Sequence, residues 1–529
     1  MDNAKIRELP QKARPSITDM IIVEDNDGTK TTEISAFRSV LQETLFFNTV
    51  EDMKNAVLKE GDTVTTLGYH SLNDGGGARY QIVYAPTDLD DGILVHYLHT
   101  SDTLRAHLIH NGELNVLQAG AFGDGETDDY TVFNKVINLG YPMIIPTRKY
   151  KISGSLNIPS GRVIDFNNSE IICPTSSCVC VGLNKPASNI VVKNGIFNGQ
   201  YGVETYAYAS NVTISDNIFR SSNKIQMSKG IIVSGSTGIT ISNNVIGDED
   251  YKVDYGIFTT SSKKGSTVTG NSNILIHGNR VCIGKYGIDM TSTVTDKNIH
   301  IVDNQIKGMD SVNLTDELPC AIQIGANANA ILISSCGLNR LAIGVQIAGL
   351  VDAKASITDI TATEVTEFYS FLSDQAVVSI SGMQKLSTLT RDCYLFGRMT
   401  GTLTMNTDFD ISVGSGYKCY QARTSLQGTL IDTSDPTTKD RIDLGTLYQR
   451  ATNDNEIPGY KNIALNVNTS GDVTAIPITS LEGQVIALYS SSGAVLKHNS
   501  NILIGKDTTL DQYVPIVVKN IKGLWTRVK

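Results

Sequence analysis

The sequence predicts an all-β fold built around a parallel β-helix, and three observations lead there. Six short segments look alike within one unbroken stretch: NIVVKNGIF from Asn189, NVTISDNIF from Asn211, GITISNNVI from Gly238, NILIHGNRV from Asn273, NIHIVDNQI from Asn298 and AILISSCGL from Ala330. Each alternates apolar with other residues, the period of a strand. Repeats recurring every 20–50 residues or so mark stacked architectures, because one unit cannot bury its apolar face alone. Most of the segments then carry an Asn followed two places on by one more apolar residue. Such a residue fits a turn between two inward-facing strands.

Bulk properties set limits. The chain has 529 residues and a formal charge of -10. That charge argues against a general nucleic-acid binder, since phosphate affinity needs a cationic face. No apolar run reaches the roughly eighteen residues of a membrane-spanning helix, so no membrane insertion is expected. The start, MDNAKIRELPQKARPS, lacks the apolar core of a signal peptide. None of the eight cysteines forms a CxxC pair, and Cys282, Cys320 and Cys336 lie in or beside repeat strands. Reduced, structural thiols are expected. The sequence implies no cofactor.

Residues 1–50 combine a polar start with strands near 19–24 and 29–34, a turn at Asp27-Gly28 and an amphipathic helical turn around Phe37–Leu45. EDNDG is not a calcium loop, because the frame placing Gly28 sixth puts Val23 first and Ile34 twelfth. Residues 51–117 form a small α+β domain with a short helix at Val50–Leu58 and three consecutive glycines in a tight loop. Its His96, His99, His107 and His110 are expected as exposed strand residues rather than metal ligands.

The β-helix is expected over 118–390, opening with GAFGDGETDD and a capping helix, YTVFNKVINLG. Thr127 is its expected N-cap, with Asp128 and Asp129 favouring the positive end of the helix dipole. Residues 391–454 read as further rungs or a connecting β region, and 455–529 as a β-rich module containing Trp525, the single tryptophan.

Aligning the six segments stacks Ile190, Val212, Ile239, Ile274, Ile299 and Ile331 inward, with Val192 through Ile333 two places on and Phe197 through Leu338 seven places on. Asn217, Asn244, Asn279 and Asn304 align as a structural amide ladder. A second sheet follows in each rung: GVET at Gly202, GIIV at Gly230, GIFT at Gly256, GIDM at Gly287, AIQI at Ala321 and GVQI at Gly344. The residues between its inward positions form an outward column of Glu204, Ile232, Phe258, Asp289, Gln323 and Gln346. Phe258, Gln323 and Gln346, with Tyr255 and Tyr286, are candidate carbohydrate contacts, since rings stack on sugars and hydroxyls need hydrogen-bond partners. An ordinary solvated sheet face is the alternative.

Catalytic candidates are Asp289, Asp254 and Glu204. Glycoside hydrolysis needs two carboxyls roughly 5–9.5 Å apart. Glu204 and Asp289 stand three rungs apart, near 14 Å at about 4.8 Å per rung, too far to pair. Asp289 would instead need Asp254 from the 247–254 excursion, Glu367, Asp374 or another subunit. A lyase reading would draw its base from Lys193, Lys252, His277 or Lys285. No metal site is expected.

GAFGDGETDD, the helix and IIPTRKYKISGSLNIPSG resemble the opening of pectate-lyase-like (pectin-lyase-like) right-handed β-helices in bacteriophage tailspikes. FNTVEDMKNAVLKEGDTVTTLGYHSLNDGGGARY is similar to the domain that precedes that opening in such spikes. LPQKARPSITDMIIVEDNDGTKTTEIS resembles their virion-attachment segment. The resemblance implies a homotrimeric virion protein that docks on phage tail or baseplate proteins through residues 1–50. It would bind, and on the enzymatic reading depolymerise, a bacterial surface polysaccharide. The C-terminal module would trimerise, bind carbohydrate or cap the solenoid. A non-catalytic structural spike or adhesin and a stand-alone polysaccharide hydrolase or lyase remain as alternatives.

Overall fold

The computed structural model describes residues 20–25, 28–33, 44–222, 225–250, 253–309, 319–348, 352–373, 375–399 and 402–415, with shorter stretches beyond. The chain divides into two compact units, one of residues 1–122 and 139–144, the other of 123–138 and 145–529.

In the first unit, Met20–Asp25 and Gly28–Glu33 form an antiparallel hairpin with Asp25 opposite Gly28, so Gly28 opens the second strand. The expected helical turn near 37–45 falls largely outside the described residues, and Leu45–Phe47 is a strand. The helix after it is shorter than expected, Val50–Lys54, and is started by a capping box between Thr49 and Asp52. Five strands then make one sheet. His96 is buried there, edge-on to Tyr69 and Tyr80, contrary to the exposed position expected. His107 lies 3.1 Å from Asp88.

The second unit is dominated by a parallel β-solenoid of about 12 turns. Its lead-in helix is Tyr130–Leu139, with Phe133, Val136 and Ile137 buried. Thr127 is not its cap: its hydroxyl donates to Asp124. The Asp129 carbonyl accepts the first helical hydrogen bond, from Phe133 N. The Asp128 carboxylate receives Tyr130 N and Ser153 N, tying helix to rung. These aspartates start the helix.

The rungs carry three faces. On the first, Ile190, Val212, Ile239, Ile274, Ile299 and Ile331 pair in direct register, and all are buried. A short second face stacks Phe197, Phe219, Ile246, Val281, Ile306 and Leu338. The third holds the Gly-initiated strands. Two corners explain the recurring Asn. Each repeat begins at a left-handed residue: Asn189, Asn211, Gly238, Asn273, Asn298 and Ala330 have φ between 52° and 66°, a region where Asn and Gly are favoured.

At the next corner the amides form the expected ladder. Asn217 Nδ2 donates to Asn244 Oδ1 at 3.1 Å, Asn244 to Asn279 at 2.9 Å and Asn279 to Asn304 at 2.9 Å. Each Nδ2 also caps a strand carbonyl, such as Ile214 O. The corner amides of successive rungs therefore pair with one another and with the strand ends.

A second buried column, unexpected from sequence, joins Ser236, Asn271 and Asp296 at the opposite corner: Asn271 Oδ1 accepts Ser236 N, and Asp296 Oδ1 accepts Asn271 N. Parallel pairing continues past residue 390 through Thr429–Asp432. Of the C-terminal strands, six form a mixed sheet in which Trp525 is fully buried. All eight cysteines are free.

Candidate functional site

The third face is set by its inward residues. Val203, Ile231, Ile257, Ile288, Ile322 and Val345 fill the lumen, so the next residue in each strand must point out. The outward column has the expected register: Glu204, Ile232, Phe258, Asp289, Gln323 and Gln346 pair in turn. Glycine precedes the inward residue in five of these six strands, with Ala321 in the other, and close approach favours it: a Cβ on Gly256 would lie 2.5 Å from Gly287 O.

The column differs from a solvated face in one respect. Ile232, Asp289 and Gln346 are buried. A parallel column, one residue before the glycine, flanks it: Tyr201, Lys229, Tyr255 and Tyr286 pair in succession, and Tyr286 then pairs with the buried Cys320. Its aromatic side chains crowd the same surface. Tyr255 stacks on Tyr286 at 5.4 Å between centroids and meets Phe258 edge-on at 5.7 Å.

Sequence reasoning missed Lys229. Its ammonium lies 4.5 Å from the Phe258 centroid, 5.1 Å from Tyr255 and 5.6 Å from Tyr201, a cation held over three ring faces. The available signal was positional: the residue before each glycine is aromatic or cationic in four successive rungs, Tyr201 to Tyr286.

Asp289 lies beside this cluster. Burial pushes its carboxyl up to about 6, against a smaller opposing pull from Lys229 and a hydrogen bond from Gln323. Gln323 Nε2 donates to Asp289 Oδ1 at 3.2 Å. Near neutral pH Asp289 can therefore accept or release a proton.

The other catalytic candidates are not brought to it. Glu204 is three rungs away in register and accepts a hydrogen bond from Ser177 Oγ at 2.8 Å. Asp254 is ion-paired with Lys285 at 3.1 Å. It stands four residues before Phe258, the partner of Asp289, beyond a register shift between Val253 and Tyr255. Glu367 belongs to the flanking column three rungs beyond Tyr286. Asp374 and Lys252 lie outside the described residues. Lys193 pairs with Asp165 at 3.1 Å. As it stands, the arrangement can stack a ring, accept and donate hydrogen bonds, and present one cation and one weakly acidic carboxyl.

Residues 157–319 match the family described as periplasmic copper-binding protein (NosD). Among the described residues no group of three or more His, Cys, Asp or Glu is placed to hold a metal ion. A pre-neck appendage protein of Bacillus phage B103 is 49% identical over 51 residues, 10% of this chain and 6% of the relative. The chain thus spans a small fraction of that relative's length.

Among solved structures, a tailspike of Acinetobacter phage vb_AbaP_AS12 has 13% identity and a TM-score of 0.46, over 89% of this chain and 76% of that one. Tailspike protein 2 of bacteriophage CBA120 has 11% identity and a TM-score of 0.41, over 91% and 70%. An exopolygalacturonase from Thermotoga maritima has 12% identity and a TM-score of 0.40, over 58% and 93%. Tailspikes and a phage appendage protein are thus among the proteins this chain is similar to, in agreement with the resemblance read from its sequence.

Proposed function

We propose that this chain is a receptor-binding spike of a bacteriophage tail that holds a bacterial surface polysaccharide on the outward face around Phe258, Lys229 and Asp289. One observation carries the recognition: three rings, a cation and a carboxyl–amide pair share one surface on a rigid parallel scaffold. Rings bury the apolar faces of pyranoses, while Gln323, which donates to the buried Asp289, meets hydroxyls. The match to a phage appendage protein supports the virion location. Docking on tail or baseplate proteins through residues 1–50, and a homotrimeric state, complete this reading.

Depolymerisation is the finer reading, and Asp289 supports it. A buried carboxyl with a pKa of about 6 suits a general acid. The second carboxyl or base would come from another segment or another subunit.

The full chain, incubated with a panel of purified capsular and O-antigen polysaccharides, should bind at least one. Phe258→Ala should weaken that binding about tenfold, the scale of one lost aromatic contact of about 1.4 kcal/mol. Absence of binding to every host polysaccharide overturns the reading. Reducing ends or unsaturated uronate released from the bound polymer separate hydrolase and lyase from a purely adhesive spike.

A further inference from the structure

The outward column does not begin at Glu204. Two strands earlier, Asn157 pairs with Cys180 and Cys180 with Glu204. Over these first positions lies a cavity of about 350 Å³ whose lining includes Asn138, Asn157, Cys180, Asn184, Lys185 and Pro186. Residues 182–187 contribute to the lining, and Cys180 is buried.

The lining chemistry is specific. The amides of Asn138, Asn157 and Asn184 and the Lys185 ammonium offer hydrogen-bonding groups, Ile158, Pro159 and Leu183 supply apolar wall, and no carboxylate lines the cavity; Asn157 Nδ2 also donates to Ser155 O at 3.2 Å. Carboxamides matched to vicinal hydroxyls, with apolar patches for C–H faces, are the features of a pocket for a sugar, and Lys185 in the lining suits one that carries a carboxylate. The volume lies at the small end of ligand pockets, which fits a terminal unit better than a chain passing through.

The cavity also has a fixed relation to the aromatic platform. Asn157 and Phe258 are four rungs apart on one column, about 19 Å at 4.8 Å per rung. One rung rises by close to one pyranose residue of an extended chain, so a single strand of about five residues spans both.

We propose that this cavity is a second subsite, which takes a terminal or branch sugar of the same polysaccharide strand that lies on the Phe258–Lys229 platform. The inference rests on the platform reading and deepens it. Its consequence is a length threshold. Oligosaccharides too short to reach four rungs occupy the platform alone, and longer ones gain from both contacts.

The test uses the full chain and oligosaccharides of graded length, prepared by partial acid hydrolysis of the polysaccharide it binds, with affinity measured by calorimetry. Asn157→Trp fills the cavity from an exposed strand position. Asn184→Ala removes one amide from the exposed loop and guards against misfolding of the first variant. For oligosaccharides of about six residues or more, Asn157→Trp should weaken binding about tenfold and Asn184→Ala about threefold. For those of about three residues or fewer, neither should change it. Phe258→Ala should weaken both classes. Unchanged long-chain affinity in both cavity variants, with loss in Phe258→Ala, overturns the subsite and leaves the platform standing. Unchanged affinity in Phe258→Ala overturns the platform reading, and the subsite with it.

Discussion

Asn244 is the most exacting test of why the solenoid stacks. Its side chain makes four hydrogen bonds, all buried. Oδ1 accepts from Asn217 N and Asn217 Nδ2, both at 3.1 Å. Nδ2 donates to Ile214 O and Asn279 Oδ1, both at 2.9 Å. Asn244→Ala removes all four and leaves the Asn217 N–H and the Ile214 carbonyl facing the space the amide filled. At about 1 kcal/mol net for each bond, the expected destabilisation is about 4 kcal/mol.

A solenoid opens rung by rung as well as globally. The informative assay is therefore native-state hydrogen exchange of the amides between Ile214 and Val245, compared with amides several rungs away. Local protection should fall by about three orders of magnitude, since 1.4 kcal/mol is tenfold. Asn244→Leu controls for volume: it fills the space with carbon, makes none of the bonds and should be nearly as damaging. A loss below about 1 kcal/mol in Asn244→Ala, or recovery in Asn244→Leu, would refute the argument that amide pairing rather than packing holds this corner.

Other expectations follow the same physics. Asp289 binds its proton more tightly folded, at about 6, than in an unfolded chain at its ordinary 3.8. Its contribution is therefore fully present below pH 3.8, is lost as pH rises toward about 6, and is constant above; the drop is about 3 kcal/mol. Asp289→Asn should accordingly leave urea stability unchanged near pH 3.5 and raise it by up to about 3 kcal/mol at pH 7.5, and equal curves at both pH values would contradict the burial argument. Ala330 holds φ +62° where the two preceding rungs use Asn298 and Asn273, whose amides bond at 2.8 Å. Ala330→Asn should stabilise by about 1 kcal/mol, read as a higher denaturation midpoint. Lys229→Met should weaken binding of anionic polysaccharides more than neutral ones, and that difference should shrink at high salt.

The inward stacks were legible because they repeat locally. Period-two alternation sets which side chains face the lumen, and the register then follows from aligning Ile190 with Val212 and Ile239. The Asn ladder was legible for the same reason. The left-handed corners account for the Asn that opens most repeats, although their backbone conformation was not itself read from the pattern. Thr127 misled because a good capping residue precedes the helix, while the strand at Asp124–Asp128 had already claimed its hydroxyl.

The candidate site was legible only as a column. Periodicity along one strand says which residues point out. It says nothing about what stands beside them, because side-by-side contact depends on loops of unequal length between rungs. Only the folded stack set Lys229 over Phe258, Tyr255 and Tyr201, buried Asp289, bound Asp254 to Lys285 and brought Asn157 and Cys180 to one cavity with the 182–187 loop. The sequence by itself determined the β-helix, since its hydrophobic period is local and recurs in each rung. The tertiary structure decided the chemistry, since that depends on neighbours in other rungs and loops.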